Sequence, residues 1–237
     1  MDFDLGWTPA HYTRRRVASR GRNCHVTTES SIVESISTYV TSSSCVAEGV
    51  CSYLADVVDV IRRLPIDRVG QVIHRLEEAR WKQQTVFTCG NGGSAATSIH
   101  FASDLCKGAM VPSKPPFKSR SLCENIALVT AWSNDESYDQ IFVQSMVAWI
   151  SPGDVLVAIS GSGNSRNVLL AVDAAAASGA TTIGFTGFDG GELKDMADIC
   201  ITVPCHCMEQ VEDVHLLLCH LITKCLRTTT LERICSE

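Results

Sequence analysis

Two short runs of small polar residues carry the clearest chemical signal in this chain: Cys89-Gly90-Asn91-Gly92-Gly93-Ser94 and Ser160-Gly161-Ser162-Gly163-Asn164-Ser165. Each follows an apolar run rich in β-branched residues, Thr85-Val86-Phe87-Thr88 and Asp154-Val155-Leu156-Val157-Ala158-Ile159, and each opens a helix-patterned segment. Small residues at such a junction let a ligand reach backbone N–H groups, and the helix dipole favours an anion there. Serine hydroxyls add donors without adding charge. Two such turns point to a phosphate and the polar body to which it belongs. Neither turn is a P-loop, because no Gly-Lys-Ser/Thr follows. The first is only a partial dinucleotide fingerprint: Ala95 takes the place of its last glycine, and Ala131-Trp132 stand where a ribose-binding acid is expected. Glycines serving only close helix–strand packing would explain one turn, but explain two serine-bearing turns poorly.

A second set of residues could do acid–base or metal chemistry. His100 and Asp104 are four apart and share a helix face. An imidazole and a carboxylate directed at one rim form an acid–base pair or half of a divalent-metal site. Further along, Glu212 and His215 are three apart, while His220 lies eight residues beyond Glu212, about 12 Å along a straight helix. Spacing alone pairs Glu212 with His215 and leaves His220 as its rival. Each residue also has a plainer reading. His100 beside Phe101 fits a hydrogen-bonded core histidine, Asp104 an exposed helix residue, and Glu209, Glu212 and Asp213 a helix start complementing the dipole. Cys205-His206-Cys207 is spaced too tightly for the usual structural zinc pattern, and no CxxC pair occurs.

The elements that must position these residues follow from hydrophobic periodicity. Residues 1–28 are polar, basic and aperiodic and read as a loose extension; 29–237 read as one domain. From Glu29 to Trp81 the pattern is helical, with Val46, Val50, Leu54, Val57, Val58 and Ile61 at helix spacing and Pro65 separating a second helix, Asp67–Trp81. The remainder alternates. Strands are expected at Thr85–Cys89, Ile126–Ala131, Asp154–Ser160, Thr181–Thr186 and Ile199–Val203. Helices are expected at Ser94–Leu105, Tyr138–Ile150, Ser165–Ser178, Glu192–Met196 and Glu209–Arg227, with Lys107–Arg120 as a loop. Continuous Val/Ile/Leu strands alternating with helices predict an α/β fold: a doubly wound, five-stranded parallel sheet behind an N-terminal helical segment. Ligands of such sheets sit at the carboxyl ends of the strands, where both Gly/Ser turns and Trp132-Ser133-Asn134-Asp135 are expected to converge.

Composition narrows the partners. The chain has 237 residues, 45% of them hydrophobic and 19% charged, enough for a sizeable core. A net charge of −6 gives no support for nucleic-acid binding, and no apolar run approaches the roughly 20 residues of a membrane span. Arg14-Arg15-Arg16 precede no apolar stretch, so no secretory signal is read. Several of the twelve cysteines (Cys51, Cys106, Cys200, Cys219, Cys225) fall in apolar periodic segments, where thiols behave as small hydrophobes; a reducing cytoplasm is the simplest setting. The helical segment Glu29–Trp81 has more apolar stripe than one flank of a sheet needs, which suggests pairing across subunits.

Taken together, Gly90-Asn91-Gly92-Gly93-Ser94, His100-Phe101-Ala102, Asn134-Asp135 and Ile159 through Ser165 resemble the sugar isomerase (SIS) domain, and more specifically the phosphoheptose isomerases. Gly184-Phe185-Thr186-Gly187, Asp189-Gly190-Gly191 and Ala197-Asp198-Ile199 also fit, so the likeness runs from about Val46 to Leu226. The resemblance implies that Ser160, Ser162 and Ser165, with the Gly161 backbone, hold a phosphate. It implies that Asn91, Gly92, Gly93 and Ser94 meet the sugar and that Asn134 and Asp135 bind its hydroxyls. The implied reaction is aldose–ketose isomerisation of a seven- or eight-carbon sugar phosphate, sedoheptulose 7-phosphate to D-glycero-D-manno-heptose 7-phosphate, in the cytoplasm. Asp104 stands at the family's catalytic glutamate, Glu212 at its glutamine, and His220 at its histidine. His100, Asp104, Glu212 and His220 then become ligands of Zn2+ or another divalent metal, with Asp104 and His220 catalytic and Glu212 also near the substrate. A homotetramer with sites at subunit interfaces is implied too. SIS members that only sense sugar phosphates or bind a protein, and lyases of amino-sugar phosphates, share the turns and remain alternatives.

Overall fold

A computed structural model describes residues 45–228 of the chain. The extension expected at 1–28 lies outside the described residues, as do the first part of the helical segment expected from Glu29 and the C-terminal residues 229–237. The chain divides between Cys51 and Ser52. Residues 45–51 are helical, and the rest of the fold is built from Ser52 onward. In chain order the helices and strands are α1 (Cys45–Arg62), α2 (Ile66–Trp81), β1 (Thr85–Gly90), α3 (Gly93–Ser103), β2 (Lys118–Ser121), α4 (Ile126–Asp135), α5 (Ile141–Met146), β3 (Val155–Ile159), α6 (Arg166–Ala177), β4 (Thr181–Thr186), α7 (Gly191–Met196), β5 (Ile199–Thr202) and α8 (Met208–Thr228).

The five strands are all parallel in the order β2-β1-β3-β4-β5. The chain winds from β1 outward to β2, then crosses back to place β3 on the other side of β1. Loops leaving β1 and β3 therefore diverge to opposite faces and open a crevice at the carboxyl edge. In register, Cys89 lies opposite Ala158 and Gly90 opposite Ile159, which puts the two Gly/Ser turns side by side. This is the juxtaposition the sequence predicts.

The central strand β3 feeds both faces. Val155, Val157 and Ile159 pack with Val69, Val72 and Leu76 of α2, Phe101 of α3, and Val211, Val214, Leu218 and Ile222 of α8. Leu156 and Ala158 point the other way, against Phe142 and Met146 of α5, Val168, Leu169 and Val172 of α6, and Leu193 of α7. Burial on both faces is why β3, Val155–Ile159, is an apolar run rather than an alternating one. Cys89 and Cys219 pack in the core as small hydrophobes, and burial pushes their thiols, and that of half-buried Cys200, up.

The structure corrects several expected elements. Ile126–Ala131 is not a strand; it lies within α4, which Asn125 caps by accepting the Leu128 N–H on its side-chain oxygen at 3.2 Å. A six-residue apolar run has no period that separates strand from helix, and the Asn cap decides for helix. Trp132-Ser133-Asn134-Asp135 is accordingly the last turn of that helix and not a loop after a strand. The true second strand, Lys118–Ser121, lies mainly in the stretch read as a loop. Its sequence, Lys-Ser-Arg-Ser, is polar because it is an edge strand paired only with β1. The helix expected over Tyr138–Ile150 is a 3-10 turn at Tyr138–Gln140 followed by the short α5. The helix expected to reach Leu105 changes at Asp104 into one π-helical turn, Asp104–Gly108, closed by Ala109 N–H on Asp104 O at 2.8 Å.

That π turn is held from below. Arg80, 1% exposed, donates to the carbonyls of Ala109 (3.0 Å), Pro115 (2.6 Å) and Leu226 (3.4 Å). Glu77 offsets its charge at 3.7 Å and also binds Lys114 Nζ at 2.8 Å. The buried guanidinium thereby ties the segment after Asp104 to the end of α8.

Candidate active site

The second turn leaves β3 at Ser160, which is buried and donates its hydroxyl to Ser165 Oγ at 3.2 Å. Ser162 is exposed and accepts the Asn164 N–H at 3.2 Å on Oγ. Gly163 has φ +68°, and a Cβ there would fall 1.9 Å from the Gly190 carbonyl oxygen, so only glycine closes this turn. Ser165 then caps α6 through its backbone, leaving the first N–H groups of a 12-residue helix directed at the crevice. Ser160, Gly161, Ser162 and Ser165 thus surround one helix N-terminus, a geometry that suits a phosphate.

The first turn bends at Gly92, φ +54°, into α3. Asn91 is half-buried, Gly92 and Gly93 are exposed, and Ser94 is buried against Gly90. The second turn reaches α8 at its start: a Cβ on Gly161 would meet Met208 Sδ at 2.5 Å. One turn further, Glu212 lies over the first turn, where a Cβ on Gly93 would fall 2.5 Å from Glu212 Oε2. The seam between α3 and α8 therefore runs from the serine turn past Gly93 and Glu212 toward the histidines.

At the far end of that seam, His100 Nε2 and His220 Nε2 lie 2.8 Å apart. Asp104 Oδ2 is 3.4 Å from His100 Nε2 and 3.9 Å from His220 Nε2. A tetrahedral ion with donors at about 2.1 Å would set them about 3.4 Å apart, so these separations fit a metal with small side-chain adjustments. Among the described residues, His100, Asp104 and His220 form the group able to hold an ion, and both histidines are open to solvent. Glu212 is not in this group. The structure brings together three of the four residues that the resemblance implies as ligands and places the fourth, Glu212, against Gly93 of the first turn.

His215, which spacing favoured over His220, is 1% exposed and lies in the core. Its Nε2 donates to the Thr186 carbonyl at 3.1 Å, and its ring packs on Phe185 with centroids 6.2 Å apart. Cys205, His206 and Cys207 are engaged elsewhere: Cys205 Sγ donates to Gln210 Oε1 (3.0 Å), Cys207 Sγ to Glu209 Oε2 (3.3 Å), and His206 packs edge-on to Phe188. Asn134 donates to Asp135 Oδ1 at 2.8 Å, and among the described residues no hydrogen bond joins either to the two turns.

Three residues that sequence reasoning missed belong here. Asn167 of α6 and Asn91 form a reciprocal amide pair at 2.8 and 2.9 Å, and Tyr138 donates to Asn91 Oδ1 at 2.8 Å. Asn167 read as one polar residue in a helical pattern; only its burial in the first turn of α6 distinguishes it. Tyr53 donates to Asp213 Oδ2 at 2.5 Å beside the start of α8, a bond that pushes its phenol up to about 12.

The buried His215 generates a prediction. Burial lowers its pKa from 6.5 to about 4, so the unfolded chain binds the proton more tightly than the folded one. Its contribution to stability is complete above pH 6.5 and is lost as pH falls toward 4, by about 3 kcal/mol at most. Urea titrations from pH 7 to 4 should show this loss, and His215→Leu should flatten that part of the profile.

Comparison with known proteins places these features in a family. Residues 51–187 match the SIS domain, a span that covers both Gly/Ser turns, His100 and Asp104 and ends before α8. The chain is 42% identical to a phosphoheptose isomerase of Rhodospirillum rubrum over 137 residues, 58% of this chain and 72% of that one. It is 36% identical to a phosphoheptose isomerase of Alteromonas mediterranea over 163 residues, 68% of this chain and 82% of that one. The solved phosphoheptose isomerase from Neisseria gonorrhoeae superposes with a TM-score of 0.72 at 29% identity, covering 78% of this chain and all of that one. With the sheet order, the paired turns and this match in agreement, the chain belongs to the SIS domain family.

Proposed function

We propose that this protein is an aldose–ketose isomerase of a seven- or eight-carbon sugar phosphate, interconverting sedoheptulose 7-phosphate and D-glycero-D-manno-heptose 7-phosphate. The observation that carries this reading is the placement of His100, Asp104 and His220 on the same α3–α8 seam that begins at the serine turn. Similarity to the two phosphoheptose isomerases supports the substrate class.

Isomerisation requires a base to take the proton α to the carbonyl and an acid to protonate the oxygen, after which the proton returns to the neighbouring carbon. Ser160, Ser162 and Ser165, with the N-terminus of α6, hold the phosphate remote from the reacting carbons and supply binding energy there. Asn91, Gly92, Gly93, Ser94 and Glu212 line the middle of the seam and contact the sugar. Asn134 and Asp135, in the last turn of α4, are assigned to its hydroxyls by the resemblance alone. Asp104 is the carboxylate nearest both imidazoles and takes the C–H proton; His220 moves the proton at oxygen. His100, Asp104 and His220 would hold a divalent ion, zinc by ligand type; Glu212 would join them only by turning its carboxylate away from Gly93. A bound ion supplies Lewis-acid stabilisation of negative charge on the substrate oxygen. Asp104 is one methylene shorter than the glutamate implied by the resemblance, and the π turn that begins at this residue alters the backbone from which it projects.

We place the enzyme in the cytoplasm, the simplest setting for the nine described cysteines, all free thiols; among the described residues no helix is long and apolar enough to cross a membrane. We read the assembly as a homotetramer with sites at subunit interfaces. Helix α4 buries none of its residues, Ile126 is 72% exposed, and both site histidines are open to solvent. Small-angle scattering should give the mass of a tetramer; a monomer would remove this part of the proposal.

Incubation with sedoheptulose 7-phosphate should yield the aldose, with turnover lowered by a chelator and restored by zinc. His220→Gln should reduce kcat by about 100-fold, the scale of one general acid–base group. Binding of the sugar phosphate without turnover under every metal condition would instead favour a sensing module.

A further inference from the structure

We infer that Asn167 and Tyr138 are positioning residues that lock the Asn91 amide to the phosphate-binding helix and leave it a hydrogen-bond donor, never an acceptor, toward the sugar. The inference deepens the isomerase reading and rests on it for the substrate.

The sense of the network follows from one backbone group. The Val168 N–H, which can only donate, is shared between Ser165 O and Asn167 Oδ1, each at 3.0 Å. That contact fixes Asn167 Oδ1 as an acceptor and Asn167 Nδ2 as a donor. Asn167 Nδ2 donates to Asn91 Oδ1 at 2.9 Å, and Asn91 Nδ2 returns the bond to Asn167 Oδ1 at 2.8 Å. Tyr138 OH must then donate to Asn91 Oδ1, which it reaches at 2.8 Å. Both lone pairs of the Asn91 carbonyl are consequently filled, and one Asn91 N–H remains for a ligand. The partner it selects is an acceptor: a sugar hydroxyl, carbonyl or phosphate-ester oxygen.

The same bonds join three separate parts of the site. Asn91 belongs to the turn after β1, Asn167 to the first turn of α6 beside the serine clamp, and Tyr138 to the turn after α4. Asn167 is 2% exposed, so flipping its amide would leave buried groups mispaired. A phosphate seated on α6 is thus held in fixed register with the sugar-side turn. Asn167 touches the substrate nowhere in this scheme and acts through Asn91.

The test is a cycle of Asn91→Ala, Asn167→Ala and the double variant, with Tyr138→Phe and the near-isosteric Asn167→Asp guarding against misfolding. Asn167→Asp keeps the acceptor for Val168 but turns an oxygen toward Asn91 Oδ1. On sedoheptulose 7-phosphate, Asn167→Ala and Asn167→Asp should each lower kcat by about tenfold or more, with Tyr138→Phe milder, while in the uncharged variants Asn167→Ala and Tyr138→Phe the Kd for inorganic phosphate stays within about twofold. Because Asn167 acts through Asn91, the double variant should be no worse than Asn91→Ala alone. Independent losses that multiply in the double variant, or inorganic phosphate binding that falls in step with kcat in Asn167→Ala, would overturn the proposal. Side-chain amide NMR of the ligand-free protein supplies a readout that needs no turnover. The Asn91 NH2 signals should shift in both Asn167→Asp and Tyr138→Phe, and signals unmoved in both would overturn the network even where the wild-type protein proves inactive on this sugar.

Discussion

The hydrogen-bonded pairing of β1 with β3, strands that the chain enters from opposite windings of the sheet, is the constraint on which the site depends. Parallel strands need crossovers, and a change of winding direction sends consecutive loops to opposite faces. The register of these two strands sets Gly90 against Ile159 and so delivers both small-residue turns to one edge. Each turn starts a helix whose N-terminal N–H groups face that edge. Once this is fixed, α8 needs only to dock along α3 to bring its carboxylate and imidazole to the same seam. Val211, Val214, Leu218 and Ile222, all fully buried, set that docking.

The two ends of the seam are stabilised differently. The serine-turn end rests on neutral polar groups: serine hydroxyls, an amide pair and helix N-terminal N–H groups. The histidine end rests on a buried charge. Arg80 holds three carbonyls around the segment after Asp104, and Glu77 and Lys114 complete the cluster. Removing one member of such a cluster leaves an uncompensated buried charge, which costs far more than a surface pair. The arrangement keeps Asp104 and His220 in reach of each other although they are 116 residues apart in sequence, at positions 104 and 220.

The sequence discloses this architecture unevenly, for physical reasons. Strands buried on both faces, such as Val155–Ile159, must be apolar throughout and are plain to read. The edge strand Lys118–Ser121 has one neighbour and needs no apolar run, so it hides in a proline-rich stretch, while the apolar Ile126–Ala131 mimics the missing strand. The glycine turns are legible because their chemistry demands small residues. His215 against His220 is not, since helical spacing says which residues share a face but not whether that face meets core or crevice. The resemblance selected His220, and the packing of α8 explains why: His215 meets Phe185 and Thr186, whereas His220 meets His100. The Asn91–Asn167 pair had no signal at all, because a contact between a turn and the first turn of a distant helix leaves no periodicity.

In the proposed reaction Asp104, held beside two imidazoles, removes the proton next to the carbonyl of a sugar phosphate seated on the serine turn. Proton NMR of sedoheptulose 7-phosphate incubated with the zinc-supplemented protein in D2O tests it most directly. Solvent deuterium should enter the carbon adjacent to the carbonyl in the recovered ketose and appear in the aldose, and Asp104→Asn should abolish this exchange while inorganic phosphate still binds. Exchange at the wild-type rate in Asp104→Asn, or an aldose formed with its original proton fully retained, would contradict it.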